Sequence, residues 1–297
     1  MAQNSNNLPI CACGLVKRFG VIKAVSNIDL NLAPGEALGL LGPNGAGKTT
    51  SLSMLMGLLN PDAGKAMIFG QAAGSPAARA LSGATPQLAA FPGQLSPREI
   101  LEYTAARYGV TPKIDDLVAG FALEQLIDRR MDGFSGGEQR KVALALAFVG
   151  MPKLVFLDEP SAGLDIEAQD RFREYVGQFT TQGGALVLTS HHWDEIEALC
   201  DTIVLIDRGE AVLNGRIEEM RARAKMTRIT FCLPDGLHPP KWIKAKLQGT
   251  CWGLETTDSD AVLRRMVKEN VPFQGLTLQP LELKELIDRI RQEENLQ

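Results

Sequence analysis

The sequence predicts an α/β protein built on a largely parallel sheet with helices on both faces. Three observations carry this. A glycine-rich turn joins the apolar run Ala37-Leu38-Gly39-Leu40-Leu41 to the helix-like stretch Ser51 to Leu55. A second apolar run, Leu154-Val155-Phe156-Leu157, ends in two carboxylates and a proline. Strand-like and helix-like segments then alternate to about residue 206. Sheets of this kind carry their chemistry at the carboxyl ends of their strands, so both motifs point to the same edge.

Apolar residues alternate over Asn27 to Leu32, which suggests a half-buried strand, and the Pro34-Gly35 turn leads into the strand that begins at Ala37. Further strands are expected at Ala66 to Phe69, Leu154 to Leu157, Ala185 to Thr189 and Thr202 to Ile206, with helices at 166–181 and 193–200. Between about 95 and 150 the pattern changes. Pro97 to Tyr108, Asp115 to Leu126 and Ser135 to Val149 read as helices with no strand among them, an inserted helical subdomain. Beyond about residue 225 it shifts again. Met226 to Leu233 alternates like a strand and meets the turn Pro234-Asp235-Gly236. A helix-like Lys241 to Leu247, a strand-like Thr250 to Glu255, a helix-like Asp260 to Glu269, a strand-like Phe273 to Leu278 and an amphipathic helix from Leu281 to Arg291 follow. Three strand-helix pairs make a small α/β domain.

Composition narrows the function class. The 297 residues, 45% hydrophobic and 22% charged, suit a large core plus a small extra domain. A net charge of −4 gives no electrostatic case for a nucleic-acid partner. The longest apolar stretch, Val142 to Val149, is too short to cross a bilayer, and Met1 to Leu8 lacks the order of a signal peptide, so a cytosolic chain is expected. Five cysteines without a repeating spacing suggest reduced thiols, and Cys11 and Cys13 read as ordinary strand residues.

Residues 42–50 read Gly-Pro-Asn-Gly-Ala-Gly-Lys-Thr-Thr, a phosphate-binding loop. Gly42, Gly45 and Gly47 let backbone N–H groups converge, and the helix that follows aims its positive dipole end at the same point. Lys48 reaches the β and γ phosphates of a nucleoside triphosphate, and the Thr49 hydroxyl is suited to Mg²⁺. At the end of the second apolar run, Asp158 is suited to hold Mg²⁺ and Glu159 to deprotonate an attacking water. Hydrolysis is the reaction these parts favour.

Phe134-Ser135-Gly136-Gly137-Glu138-Gln139-Arg140 opens a helix on which Ser135 is a good N-cap. With this turn between the two nucleotide motifs, the sequence resembles the ATP-binding subunits of ABC transporters over about residues 10–225, with the family's parts in the family's order. Glu138 stands where many members have glutamine and Phe134 where many have leucine. The resemblance implies a P-loop ATPase core with an N-terminal antiparallel β subdomain and the helical insert at about 90–150, all within an ATP-binding domain spanning 8–225, followed by an accessory domain at 226–297.

The resemblance also implies roles, position by position. ATP would be held by Gly42, Pro43, Asn44, Gly45, Ala46, Gly47, Lys48, Thr49 and Thr50, with Phe19 stacking on adenine. Gln87 would touch Mg²⁺ and water, completing a metal set of Thr49, Gln87 and Asp158. Glu159, His191, Gln87 and Lys48 would be catalytic; His192 stands beside His191, and the family's Thr/Ser-then-His order favours His191. Ser135, Gly136 and Gly137 would serve the nucleotide of a second ATP-binding subunit, and Asp165, in Ser161-Ala162-Gly163-Leu164-Asp165, would communicate across that dimer.

With no span of its own, the chain is expected to work on a separate integral membrane permease, docked through about Leu88 to Glu99, at the cytoplasmic face of the plasma (inner) membrane. The size of the C-terminal domain resembles that of ATPases paired with ABC-2 type export permeases. An importer ATPase and a soluble ABC ATPase are the alternatives. The first is told apart by its permease; the second usually carries a coiled-coil insert or two phosphate loops, neither of which is present. A switch GTPase would need a guanine-reading Asn-Lys-x-Asp element, which the chain lacks.

Overall fold

The computed structural model describes residues 8–85, 91–224, 226–234, 236–281, 284, 285 and 287. The chain divides into two compact units, Met1–Gly215 and Arg216–Gln297.

In the first unit the order is β1 (Ile10–Phe19), β2 (Ile22–Leu32), β3 (Ala37–Leu41), α1 (Lys48–Leu55), β4 (Ala63–Ile68), β5 (Gln71–Ala72), α2 (Pro76–Ala80) and β6 (Ser82–Ala84). The helical stretch α3 (Pro97–Tyr108), α4 (Ile114–Gly120) and α5 (Gly136–Phe148) follows. Then come β7 (Leu154–Asp158), α6 (Ile166–Thr181), β8 (Ala185–Ser190), α7 (Trp193–Leu199), β9 (Thr202–Asp207) and β10 (Glu210–Arg216). An antiparallel sheet of order β2-β1-β4-β5 lies beside a six-stranded sheet of order β10-β9-β3-β8-β7-β6. In the latter, β3 runs parallel to both β8 and β9, and β7 runs parallel to both β6 and β8.

Register is what positions the site. Leu41 at the end of β3 pairs with Ser190, and Asp158 at the end of β7 pairs with Thr189. The glycine turn after β3, the acids after β7 and the histidines after β8 therefore emerge side by side at one carboxyl edge. Every residue of β3 and β8 is buried, as the uninterrupted apolar runs of a two-sided parallel sheet require.

The helix expected over Asp115 to Leu126 stops at Gly120. Phe121 turns inward to an aromatic cluster with Phe148, Phe172 and Tyr175, ring centroids 4.9 to 6.3 Å away, and Ala122 takes φ 50°, which a right-handed helix cannot continue through. Gly120 permits this packing, since a Cβ there would lie 2.3 Å from the Tyr175 ring. Burial pushes the Tyr175 phenol up to about 12.

The second unit runs α8 (Ile217–Ala224), β11 (Thr227–Cys232), β12 (Lys246–Gln248), β13 (Cys251–Thr256), α9 (Ser259–Lys268) and β14 (Gln274–Pro280). Its sheet is antiparallel, of order β12-β13-β11-β14, around a core of Ile229, Phe231, Ile243, Leu254 and Met266. Lys241 to Leu247 is not the helix its apolar spacing suggests. Pro239 and Pro240 lead into a turn closed by Ile243 N–H on Pro240 O at 2.8 Å, and the buried Ile243 fixes the chain before β12 begins. Of the helix expected over Leu281 to Arg291, only Leu281, Lys284, Glu285 and Ile287 lie among the described residues.

The expectation of five reduced thiols is also corrected. Pairing of β11 with β13 sets Cys232 opposite Cys251, with Cα atoms 4.2 Å apart, and a disulfide joins them. Cys11, Cys13 and Cys200 are free. No helix among the described residues is long and apolar enough to cross a membrane.

Candidate functional site

The glycine turn has the backbone its sequence requires. Gly42, Gly45 and Gly47 all have positive φ, at 153°, 79° and 110°. A Cβ on Gly42 would meet Ile206 O at 2.1 Å and one on Gly47 would meet Ala24 O at 2.4 Å, so neighbouring backbone closes on the loop. No side chain caps α1 at Gly47, which leaves its first-turn N–H groups aimed into the loop as an anion cradle. Lys48 Nζ lies in the same loop, 2.7 Å from Gly42 O and 3.2 Å from Pro43 O. Ala46 is buried and accepts from Gly209 N–H, tying the loop to the β9–β10 turn.

Asp158 and Glu159 stand next to this cradle. Thr49 Oγ1 is 3.4 Å from each carboxylate oxygen of Asp158. Those are hard oxygen donors on neighbouring elements, the set that Mg²⁺ takes. Thr189 Oγ1 donates to Asp158 and also accepts from Glu159 N–H, at 3.1 Å. Glu159 itself is in the left-handed region, φ 50°, which costs a non-glycine residue of order 1 kcal/mol or more. The surroundings hold it there: Glu159 N–H also donates to Thr189 O at 3.1 Å, and Arg140 donates to its carbonyl. The carboxylate consequently reaches His191, with Oε2 2.6 Å from Nδ1. His192 stacks beside His191 at 3.9 Å between ring centroids, and its N–H donates to Ser190 Oγ at 3.0 Å. It is His191 that meets the acid.

Ser135 begins α5 with a reciprocal cap. Its hydroxyl accepts from Glu138 N–H at 3.2 Å, while Glu138 Oε2 accepts from Ser135 N–H at 2.7 Å. The bond from the Ser135 backbone N–H, and then the nearby Ser135 side chain, hold the Glu138 carboxyl below its usual range. Gly136 has open space where its side chain would be. Gly137 does not: a Cβ would lie 2.7 Å from Gly163 O, so glycine lets the helix start close on the loop that leads to α6.

Asp165 caps α6, accepting from Ala168 N–H at 2.8 Å, and pairs with Lys141 Nζ at 2.8 Å. Lys141, and then the Ala168 bond, hold its carboxyl below the ordinary value of 3.8. A depressed folded-state pKa adds stability that is present above the unfolded value and lost as pH falls through the folded one. Thermal melts of Asp165→Ala should therefore show a loss of about 1 kcal/mol at neutral pH, typical of a lost cap, shrinking below about pH 4.

Phe19 ends β1 half exposed, at 51%, next to the Gly20 turn, and so is free to stack rather than packed in a core. Thr50 lies in α1 with the loop residues before it. Gln87 lies outside the described residues, as do Leu88 to Ala90 of the expected permease-docking stretch.

Four site residues escaped the sequence. Arg140 donates to the carbonyls of Asp158 and Glu159, Thr189 bridges the two acids, and Thr85 Oγ1 accepts from Asp158 N–H at 3.3 Å. Glu195, buried on α7, accepts from Ser161 N–H at 3.2 Å and from Ser190 Oγ at 2.5 Å, joining the loop after β7 to the loop after β8. The one signal available was a carboxylate on an otherwise buried position of α7.

Comparison with known proteins agrees with this geometry. The ABC transporter family model matches residues 25–162. The ABC transporter ATP-binding protein NatA of Bacillus subtilis (strain 168) is 34% identical over 208 residues, 67% of this chain and 85% of that protein. The chain belongs to the ABC transporter ATP-binding protein family. Other relatives of this family member are the Nod factor export ATP-binding protein I of Rhizobium etli, 35% identical over 69% of this chain and 67% of that one, and the daunorubicin/doxorubicin resistance ATP-binding protein DrrA of Streptomyces peucetius, 35% identical over 70% and 66%. Among solved structures, an ATP-binding subunit of an ABC transporter covers 72% of this ABC ATP-binding chain at a TM-score of 0.66 and 26% identity, with 92% of that subunit aligned.

Proposed function

We propose that this ATPase is the motor subunit of an ABC exporter and drives a separate integral membrane permease of the ABC-2 type. The observation that carries the reading is the convergence of the Gly42–Thr50 cradle, the Asp158–Glu159 pair and His191 at one sheet edge, with the Ser135 turn opening a helix in the same unit. Relatives named for Nod factor export and for daunorubicin/doxorubicin resistance support the outward direction.

ATP would lie with its phosphates on backbone N–H groups of the 42–50 loop, Pro43 having none to offer, and with its adenine against Phe19. Lys48 turns to the β and γ phosphates. Thr49 and Asp158, with Gln87, would hold Mg²⁺, which would supply neutralisation of phosphate charge. Glu159 takes the proton of the attacking water, and His191, hydrogen-bonded to that carboxylate, fixes its direction toward the γ-phosphate. Ser135, Gly136 and Gly137 serve the nucleotide of a second copy, so ATP joins two subunits, and Asp165 stands where the loops of the two copies meet. Loss of the γ-phosphate opens the pair, a two-state switch that the permease reads at the cytoplasmic face of the inner membrane. Residues 226–297 form a small accessory domain.

The test is an affinity pull-down of tagged Glu159→Gln protein with Mg-ATP from solubilised membranes, with mass spectrometry of the partners. A multi-span permease without its own phosphate loop is expected. Recovery of ribosomal or DNA-repair proteins alone would contradict the proposal.

A further inference from the structure

We propose that Arg140 is a positioning residue that ties the placement of the Ser135 turn to Glu159 of the same subunit, so that engagement of the partner's nucleotide sets this subunit's own hydrolysis. The inference rests on the two-subunit reading above.

One guanidinium spans three consecutive carbonyls. Arg140 Nη2 donates to Asp158 O at 2.5 Å and to Glu159 O at 2.6 Å, and Nε lies 3.4 Å from Pro160 O. A planar fork suits such a run of acceptors; an ammonium does not reproduce it. The middle carbonyl belongs to the residue held at φ 50°, whose N–H is bound from the other side by Thr189 on β8. The Glu159 backbone is thus gripped at its N–H by the central sheet and at its C=O by α5.

Arg140 sits four residues beyond Gly136, little more than one turn along the helix that Ser135 caps. The same helix grips the following loop at two more points, Gly137 against Gly163 and Lys141 on Asp165. A shift of α5 therefore moves the C=O side of residue 159 while β8 retains its N–H side, and the carboxylate that reaches His191 swings with the backbone between them. Burial lowers the Arg140 pKa, while Asp158, Glu195 and Glu159 around it favour the charged form. All three acceptors are backbone carbonyls of residues 158–160, so Arg140 acts through Glu159.

The experiment measures steady-state ATP hydrolysis against ATP concentration for wild type, Arg140→Gln and Arg140→Lys, with thermal melts and nucleotide affinity on each. The expected result is a fall in kcat of about 100-fold for Arg140→Gln, the size of an ångström-scale misplacement of a reacting group, with KM unchanged. With two coupled sites firing together, wild type should show a Hill coefficient above one, and Arg140→Gln a coefficient of one. Arg140→Lys keeps the charge without the fork and should fold like wild type yet remain slow. Wild-type kcat in Arg140→Lys overturns the proposal, as does a joint fall of kcat, ATP affinity and melting temperature in both variants. Sedimentation of each variant combined with Glu159→Gln separates the two claims. An ATP-dependent dimer with normal kcat in the Arg140 variants sinks only the positioning role, whereas absence of any ATP-dependent dimer in Glu159→Gln alone sinks the two-subunit reading and this inference with it.

Discussion

Glu159→Gln should lower the rate of ATP hydrolysis by about 1,000-fold while leaving ATP affinity near wild type. General-base contributions of 10²- to 10⁴-fold set that scale (about 3 to 5 kcal/mol of transition-state stabilisation). Affinity should survive because the change is isosteric and the backbone of residue 159 is held by Thr189 and Arg140, neither of which depends on the carboxylate. What disappears is the oxygen that reaches His191 Nδ1 and would receive the water's proton. Phosphate release in the steady state and equilibrium binding of a fluorescent ATP analogue read the two effects separately. Normal turnover in this variant would remove Glu159 from the mechanism, and a parallel loss of binding would make it a structural residue.

Gly47→Ala should weaken nucleotide binding by more than about 100-fold and destabilise the first unit, whereas Gly45→Ala should do neither to the same degree. Both glycines have positive φ, so both substitutions carry backbone strain of about 1–3 kcal/mol. They differ in what the new methyl meets. At Gly47 it lies 2.4 Å from Ala24 O, a backbone atom of β2 that cannot swing aside as a flexible side chain could, whereas at Gly45 nothing lies within 4 Å. Relief at Gly47 must displace the start of α1, where the cradle's N–H groups are. A misplacement worth about 3 kcal/mol corresponds to more than a 100-fold loss of ATP affinity. Isothermal titration on the two variants checks it; equal affinities would mean that the contact between Gly47 and the Ala24 carbonyl does not shape the loop.

The phosphate loop and the Asp158–Glu159 pair are legible in the sequence because each is a contiguous run joined to an apolar strand, and a buried parallel strand shows itself by unbroken hydrophobicity. Residues whose importance is a matter of through-space placement were invisible. Arg140 looks like one more helical cation after a glycine turn, and only the register that sets α5 against the end of β7 brings it to three carbonyls. Thr189 reads as a β-branched strand residue, and its bridge to Asp158 follows from the parallel pairing of β7 with β8. In the helical insert, periodicity continued through Phe121 while the chain did not, because filling an aromatic cluster outweighed continuing the helix. In the second unit Lys241 to Leu247 has helical spacing but only seven residues after a Pro-Pro pair, too few to nucleate a helix against the pull of the core on Ile243. The Cys232–Cys251 bond depends on antiparallel register, which cysteine spacing does not encode.

The central claim is that ATP joins two copies through the Gly42–Thr50 cradle of one and the Ser135 turn of the other. The most direct measurement is sedimentation velocity of Glu159→Gln with and without Mg-ATP, alone and carrying Ser135→Arg. The account predicts a monomer without nucleotide, a species of twice the mass with Mg-ATP, and a return to monomer when Ser135 is replaced by arginine. A monomer under every condition, or an ATP-dependent dimer indifferent to Ser135→Arg, would contradict it.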